Sequence, residues 1–389
     1  MDDLKYWVAL HRVSGLGPLR FGKLEACFAS MEEAWGASRA GLTAAGLDVG
    51  TVEDIVSERA AIDPDAEMTR LADAGVRAIH RRSAEYPVLL AEVYAPPSVI
   101  YVKGSLTEAD RRGVAVVGTR GPTSYGREMA HRLAYDLAKA GVTVMSGLAR
   151  GIDGTAHKAA LEAGGRTVAV MGGGLESIYP PEHLDLARNI AESGAVVSEY
   201  PLGTKPKAEH FPRRNRVVSG LALGVLVVES DMEGGAMLTV KWALEQDREV
   251  FAVPGSALSP KSAGPSWLIQ QGAKLVVECE DVLEELNIAV LKPGEPSGRQ
   301  LSLDRGSASA GGTTYGGGPG TLDIGVINDG VESTVLTALS GAPMHVDDVT
   351  RAVGLPASAV SSAIAMLELR GQIRQTGPMQ YVASRQSRR

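Results

Sequence analysis

Small, glycine-rich turns follow the apolar runs in the middle of this sequence, and such turns can hold phosphate groups. Six of these runs lead directly into the segments Gly118-Thr119-Arg120, Ser146-Gly147, Gly172-Gly173-Gly174, Ser198-Glu199, Glu229-Ser230 and Pro254-Gly255-Ser256. Glycine permits positive φ and lets a ligand approach bare backbone N–H groups, which attract anions. A single turn of this kind needs only a tight-turn explanation. Six turns at one edge of a sheet favour a ligand-binding rim.

Arg120 is the strongest single candidate for a phosphate-binding residue on this rim. A planar guanidinium at the end of the first strand could bind a phosphate through two parallel hydrogen bonds. The alternative is an ion pair with Glu229 across the rim.

A basic run that contains one aromatic residue indicates what the rim could hold. Its members are Lys205, Lys207, Arg213, Arg214 and Arg216, with Phe211 and Asn215 among them, Glu209 as the only opposing charge and Tyr200 just ahead. Cations that meet phosphates and a ring that stacks on an exposed base suit single-stranded nucleic acid. The alternative is a solvated basic surface with Phe211 in the core.

Other occupants and reactive chemistry have weaker support. The first turn lacks the GxGxxG spacing of dinucleotide sites, and no GxxxxGK[ST] loop occurs. Ser146 has no histidine partner at a recognisable spacing, His157 is expected to pack locally, and Asp153 is expected to face a helix dipole. With two cysteines and no HExxH spacing, a metal site is not expected either. We therefore predict no enzyme activity and no cofactor.

The elements that would position these residues form an open α/β sheet. Apolar β-rich runs alternate with amphipathic helices, which is the pattern of a parallel sheet covered on both faces. The predicted strands are Val114–Val117, Val142–Met145, Thr167–Val170, Ala195–Val197, Gly224–Val228, Glu249–Val253 and Lys274–Val277. The predicted helices are Ser124–Ala140, Ile152–Ala163, Pro181–Glu192, Arg214–Leu221, Ala236–Gln246 and Gly264–Gln271.

Four segments are predicted along the chain. Residues 1–105 are expected to be helical, with a helix-hairpin-helix-like turn or a plain structural corner at Val13–Leu19. Residues 106–290 form the sheet domain, residues 291–330 are Gly-, Ser- and Pro-rich like a flexible linker, and residues 331–384 suggest a winged helix. Its helices are predicted at Val331–Leu339, Val346–Val353 and Pro356–Arg370, before a hairpin around Gly377-Pro378.

Composition sets broad limits on the 389-residue chain. The net charge of −7 disfavours a wholly basic nucleic-acid binder but permits local basic clusters. Without an N-terminal apolar segment or a run of eighteen apolar residues, we expect a cytoplasmic protein with no membrane partner.

Several strings in fixed order resemble the DprA (Smf) family of DNA-processing proteins. The match is carried by Val116–Arg120, Ser146–His157, Ser198–Pro201, Phe211–Arg216 and Val253–Ser256, with Tyr86-Pro87 and Pro96–Tyr101 ahead of them. The resemblance is strong over about residues 80 to 287. Departures are Pro181, where some relatives have lysine, Ala208, with the lysine displaced to Lys207, and Ser256 and Ser266, where Asn is usual.

The resemblance implies an extended Rossmann-like fold, with an N-terminal domain similar to SAM or helix-hairpin-helix domains and a C-terminal winged helix. It also implies binding and protection of single-stranded DNA, loading of the RecA recombinase in natural transformation, homodimerisation and no established catalysis. It maps the phosphate pocket onto Gly118, Thr119, Arg120, Ser146, Gly147, Gly172 and Gly173, and the neighbouring basic and aromatic positions onto Phe211, Arg214, Asn215 and Arg216.

Two alternatives remain open. A nucleotide-processing enzyme similar to phosphoribohydrolases could use the Gly172–Gly174 loop and Glu229, although the PGGxGT motif is missing. A transcription regulator could use the winged helix, although the exposed positions of its third helix, Ser358, Ser361 and Ser362, are poor in base-reading side chains.

Overall fold

A nine-stranded sheet organises the first of two structural units in a computed structural model of the chain. The structure describes residues 3–288, 333–339, 344–355, 360, 363, 364, 367, 372–377 and 380–383. The first unit spans residues 1–298 and the second residues 299–389. The predicted linker, 291–330, lies outside the described residues, so the four-segment division stays a prediction.

The sheet is mostly parallel. Its strands are β1 Arg77–His80, β2 Val99–Gly104, β3 Gly113–Val117, β4 Thr143–Ser146, β5 Thr167–Met171, β6 Ala195–Ser198, β7 Gly224–Val227, β8 Glu249–Ala252 and β9 Lys274–Leu275. They lie in the order β1-β2-β6-β5-β4-β3-β7-β8-β9. Strands β3 to β9 pair in parallel, whereas β1 and β2 are antiparallel additions at one edge.

Helices cover both faces of the sheet. Those of the first unit are α1 Leu4–Arg12, α2 Pro18–Cys27, α3 Met31–Gly36, α4 Arg39–Ala44, α5 Val49–Glu58, α6 Pro64–Asp73, α7 Val88–Ala91, α8 Ser124–Lys139, α9 Ile152–Glu162, α10 Leu184–Ser193, α11 His210–Gly220, α12 Gly235–Glu245, α13 Ala263–Gln270 and α14 Cys279–Glu285. Side chains alternate along a strand, so Val114 and Val116 pack with α8 and α9, while Ala115 and Val117 pack with α11 and α12. Burial on both faces explains the near-continuous apolar strands.

The strand order reverses beside β3. After β3 the chain builds β4, β5 and β6 on one side, and it then returns to place β7 against the other side of β3. In open α/β sheets, ligands bind in the crevice outside the carboxyl ends of the strands at such a reversal. The topology therefore directs attention to the turns that follow β3 and β7.

Two strands lie within the segment predicted to be helical. β1 and β2 join the sheet through antiparallel pairing of β2 with β6. Four and six residues are too few to show a clear period, but the Val-Ile-Tyr-Val run of β2 has the β-branched and aromatic side chains that favour strands. Helix α1 packs over this edge, where His11 Nδ1 lies 3.1 Å from the Tyr101 hydroxyl.

The second unit has a small sheet and helices around their own apolar core. Its elements are α15 (333–338), β10 Met344–His345, α16 Val346–Val353, β11 Ile373–Gly377 and β12 Gln380–Ala383, with the strands in the order β10-β12-β11. Residues 360, 363, 364 and 367 are helical within the predicted third helix. Ser358, Ser361, Ser362 and the tip of the predicted hairpin lie outside the described residues. Of the helices in the described ranges, none is both long and apolar enough to cross a membrane.

Candidate nucleic-acid interface

A cleft of about 710 Å³ lies at the strand reversal. Of the residues singled out from the sequence, it is lined by Gly118, Thr119, Arg120, Gly147, Lys207, Phe211, Arg214 and Asn215. The first turn of α12, around Gly235, and Tyr179 complete the wall. The turns after β3 and β7 and the start of α11 therefore meet where the topology predicts.

Two glycines allow the loop that carries Arg120 to fit against its neighbours. A Cβ on Gly118 would lie 2.5 Å from the Ile152 side chain and 2.8 Å from the Glu229 carbonyl oxygen. Gly151 has φ +80°, and a Cβ there would lie 2.8 Å from the Arg120 Cα. The Thr119 N–H donates to the Glu229 carbonyl at 2.7 Å, which ties the loop to the end of β7. Tight backbone packing thus fixes the position of Arg120.

Glu229 is not the partner of Arg120. Its carboxylate accepts hydrogen bonds from the Thr123 N–H at 2.9 Å and the Thr123 hydroxyl at 2.5 Å. The same hydroxyl accepts from the Gly126 N–H at 3.0 Å and so caps α8. The alternative of an ion pair across the rim is therefore not observed.

Arg120 instead lies against the ring of Phe211. Its guanidinium carbon is 5.5 Å from the centre of the half-buried Phe211 ring, and its side chain is exposed. Within the described residues, no ion pair involves Arg120. The Tyr179 ring is 5.7 Å from that of Phe211 and 40% exposed. An open cation beside two rings can meet a phosphate and a base at once.

Arg214 has a different environment from the one its place in the basic run predicted. It is buried, and its guanidinium donates to the carbonyl oxygens of Gly147 and Val170. Burial lowers the pKa of Arg214 to about 10, which still leaves it charged at neutral pH. Its guanidinium carbon lies 6.0 Å from the centre of the Phe211 ring. Arg214 therefore links the turn after β4 to strand β5 at the cleft.

The turn after β4 is bound by a carboxylate of α9, the helix that follows it. Asp153 accepts from the N–H groups of Gly147 at 3.2 Å and Ala149 at 3.3 Å. Burial raises the pKa of Asp153, and the nearby Arg214 guanidinium opposes that rise. Ser146 is buried and donates to the Val116 carbonyl at 2.7 Å. Because these groups already have partners, the Ser146-Gly147 turn supplies shape to the cleft rather than donors.

Gly172 and Gly173 do not line the cleft. A Cβ on Gly172 would lie 3.4 Å from the Phe211 ring, and one on Gly173 would lie 3.0 Å from the Thr204 carbonyl oxygen. The Phe211 ring and the 204–206 segment cover this turn. The two glycines are needed for that close packing, and their predicted place in the phosphate pocket stays a prediction.

The remaining basic residues divide by exposure. Lys207 is exposed and lines the cleft, whereas Lys205 and Arg213 are exposed outside it. Arg216 forms a largely buried ion pair with Glu199 and donates to the Ala95 carbonyl at 3.1 Å, so it anchors α11.

Sequence reasoning missed Tyr179 as a site residue. It stands in a loop between Ile178 and Pro180, and only the residue after that proline was considered. The available signal was composition, because aromatics make up 5% of the chain and one in a Pro-rich loop is unusual.

In the turn at Val13–Leu19, one backbone amide already has a partner within the chain, and the choice between a helix-hairpin-helix-like turn and a structural corner stays a prediction. Gly15 has φ +72°, and the Ser14 N–H donates to a Glu58 carboxylate oxygen at 2.9 Å. A carboxylate of the chain thus takes an amide that could otherwise meet a phosphate. Arg20 donates to the Gly15 carbonyl of this turn at 2.8 Å, and its positive charge is paired with Asp48 at 3.0 Å.

Comparison with known proteins identifies the family. A family model described as DNA recombination-mediator protein A matches residues 77–287. This chain belongs to the DprA/Smf family. A second model, the DprA winged helix domain, matches residues 327–377. Both the predicted family and the predicted fold class are confirmed.

Individual relatives agree with this assignment. Protein Smf from Synechocystis sp. is 34% identical over 395 residues, covering 98% of each chain. DNA processing protein DprA from Bacillus subtilis is 46% identical over 215 residues, covering 55% of this chain and 72% of the relative. The X-ray structure of DprA from Streptococcus pneumoniae aligns with a TM-score of 0.64 and 33% identity, over 72% of this chain and 97% of that chain. At the level of the family, the predicted role in DNA processing is confirmed.

Proposed function

We propose that this protein binds single-stranded DNA, without strong sequence preference, in the cleft at the strand reversal. One observation carries the proposal: the exposed guanidinium of Arg120 lies 5.5 Å from the Phe211 ring, with Tyr179 beside it. Arg120 and Lys207 would contact phosphates, while Tyr179 and the Phe211 ring would stack on bases. Arg214, Gly147 and Gly172 would keep these groups in place.

A polymer fits better than a single nucleotide. Lys205 and Arg213 extend positive charge beyond the cleft, where a mononucleotide would not reach them. A strand whose phosphates continue past the cleft would use these charges, and its binding would weaken with salt as counterions compete.

Binding without catalysis is also favoured by the chemistry of the cleft. The cleft-lining residues include no histidine and no cysteine. Of the two carboxylates that line it, that of Asp153 accepts from backbone amides and that of Asp231 is exposed, while Glu229, outside the lining, accepts from Thr123. The alternative of a phosphoribohydrolase-like enzyme required the Gly172–Gly174 loop and Glu229, and those groups are engaged in packing and capping.

We extend the proposal to the partners that the family resemblance implies, namely a second copy of the chain and the RecA recombinase, in the cytoplasm. Support for the homodimer comes from the edge strand β9, where Leu275 and nearby Val277 and Trp267 expose apolar surface. Sedimentation equilibrium would test the dimer. A RecA filament-formation assay on single-stranded DNA would test loading.

The binding proposal itself is tested by comparing oligo(dT) with a duplex of equal length in a mobility-shift assay. We expect preference for the single strand and a steep loss of affinity with salt. Preference for the duplex would contradict the proposal. Release of free base from nucleoside monophosphates would instead support the enzyme.

A further inference from the structure

A second cavity opens along the carboxyl edge of the sheet, beyond the cleft. It measures about 540 Å³ and is lined mainly by Thr123, Tyr125, Glu229, Pro254, Ser256 and Ser259. It contains the Pro254-Gly255-Ser256 turn after β8, which the sequence singled out and which does not border the first cleft. A Cβ on Gly255 would overlap the Ser262 hydroxyl, so the turn packs closely on the segment that follows it.

Lys261 lies in the chain between Ser259 and Ser262 of the second cavity and contacts residues at the cleft. Its ammonium group donates to the Gly121 carbonyl, in the loop that carries Arg120. Its carbonyl accepts from the N–H of Ser230, a residue of the cleft wall, at 2.7 Å. An ammonium has three protons, so Lys261 retains donors for a phosphate that passes between the two cavities.

Tyr125 gives the second cavity an aromatic wall. It lies in the first turn of α8 and is 45% exposed, and its hydroxyl donates to the Pro254 carbonyl at 2.6 Å. That bond fixes the ring while leaving much of it open to solvent. A fixed, open ring is the element on which an unpaired base stacks.

A short turn beside Tyr125 presents an apolar side chain. The Ser259 N–H donates to the Ser256 carbonyl at 3.0 Å, and the Leu258 N–H lies 3.3 Å from the Ser256 hydroxyl oxygen that accepts its hydrogen bond. This turn leaves Leu258 95% exposed. Leu258 thus adds an exposed apolar side chain on the turn whose Ser256 and Ser259 line the cavity.

Charge decides which part of a nucleotide could enter. The Glu229 carboxylate lines the cavity, so its negative charge disfavours a phosphate there. An uncharged base suits this position, while the backbone can remain near Lys261 and the serine hydroxyls.

We propose that this cavity is a second nucleotide subsite, in which a base of the same DNA strand stacks on Tyr125 after its backbone passes Lys261. The inference rests on the proposed function of the cleft. The bound strand would then follow the carboxyl edge from Tyr179, past Arg120, to Ser256.

The test compares oligo(dT) of about 5 and about 20 nucleotides by fluorescence anisotropy, lengths chosen around the site sizes of single-strand binders. Tyr125→Ala should weaken binding of the long oligonucleotide about fivefold or more, and leave that of the short one within about twofold. Tyr125→Phe keeps the ring but loses the hydrogen bond to Pro254, so it should bind the long oligonucleotide more tightly than Tyr125→Ala and no more tightly than wild type. Ser256→Glu, on an exposed turn, adds a repelling charge and should also weaken only the long oligonucleotide.

The possible outcomes separate the two proposals. If Tyr125→Ala and Ser256→Glu bind the long oligonucleotide like wild type while Arg120→Ala weakens it, the second subsite is overturned and the cleft stands. If Tyr125→Ala fails to fold, Ser256→Glu decides by itself. A wild-type protein that binds neither oligonucleotide would overturn both proposals.

Discussion

The guanidinium of Arg120 lies 5.5 Å from the centre of the Phe211 ring, although the two residues are 91 positions apart in the chain. One follows the first parallel strand, and the other begins the helix that returns the chain to the far side of that strand. The strand reversal is what brings them together. A cation oriented by a ring, and exposed, is prepared to bind a phosphate without first breaking an ion pair.

Replacement of Phe211 tests the aromatic contribution. Phe211→Leu retains apolar bulk over Gly172 but removes the ring, so we expect binding of oligo(dT) to weaken by about 1–3 kcal/mol. Phe211→Tyr should bind nearly as well as wild type. Fluorescence anisotropy measures the effect, and urea unfolding of both variants checks that the fold is kept. Equal affinities for the Leu and Tyr variants would exclude stacking on this ring.

Replacement of Arg214 should act mainly on stability. Arg214→Ala would leave the buried Asp153 carboxylate without its nearby cation and two carbonyl groups without a donor. We expect a loss of about 3–5 kcal/mol in the free energy of unfolding, measured with urea. Arg214→Lys should recover only part of it, because an ammonium lacks the planar fork.

A stable Arg214→Ala variant that lost DNA binding would contradict this assignment. It would place Arg214 in direct contact with the strand. Arg213→Ala, next along the helix and exposed, is the matched control and should leave the unfolding free energy unchanged within about 0.5 kcal/mol.

The case of Arg214 shows where sequence reasoning reached its limit. Five basic residues close together predicted one DNA-binding run. However, α11 turns Arg214 to the same buried side as Val217, Val218 and Leu221, which follow at helical spacing. The apolar stripe lies within the predicted helix Arg214–Leu221, but helical spacing alone does not show that a charged residue on the stripe is buried.

Other parts of the site were predictable because they depend on local chemistry. The end of β3 and the Gly118-Thr119-Arg120 turn follow from an apolar run and glycine, and both lie where predicted. The other predicted strand ends lie within two residues of the observed ones. Two other features depend on tertiary contacts. Phe211 covers Gly172, which is far from it in the chain, and the Asp153 side chain turns back to bind the Gly147 N–H. Composition and spacing do not encode those contacts.

His157 makes stability depend on pH. It is fully buried, its Nδ1 lies 2.7 Å from the Thr167 hydroxyl oxygen, and burial lowers its pKa to about 3. Below pH 6.5 the unfolded chain therefore binds a proton that the folded chain does not, so stability falls as the pH falls. This group alone should remove about 2 kcal/mol between pH 7.5 and pH 5.

Urea unfolding of wild type and His157→Gln at those two pH values isolates the effect. The variant should lose about 2 kcal/mol less than wild type over the interval. Asp153 and Glu199, whose pKa values burial raises, act in the opposite direction and are present in both proteins, so the difference between the two proteins removes them. Identical pH dependence would show that folding does not lower the pKa of His157.

The most direct measurement is the affinity of Arg120→Ala for oligo(dT) across a range of salt concentrations. We predict about tenfold weaker binding than wild type at low salt, and a slope of log affinity against log salt that is shallower by about 0.7. Arg188→Ala removes another exposed arginine, on α10 and paired with Asp185, and should match wild type. Unchanged affinity and slope for Arg120→Ala would contradict the assignment of the cleft as the DNA-binding site.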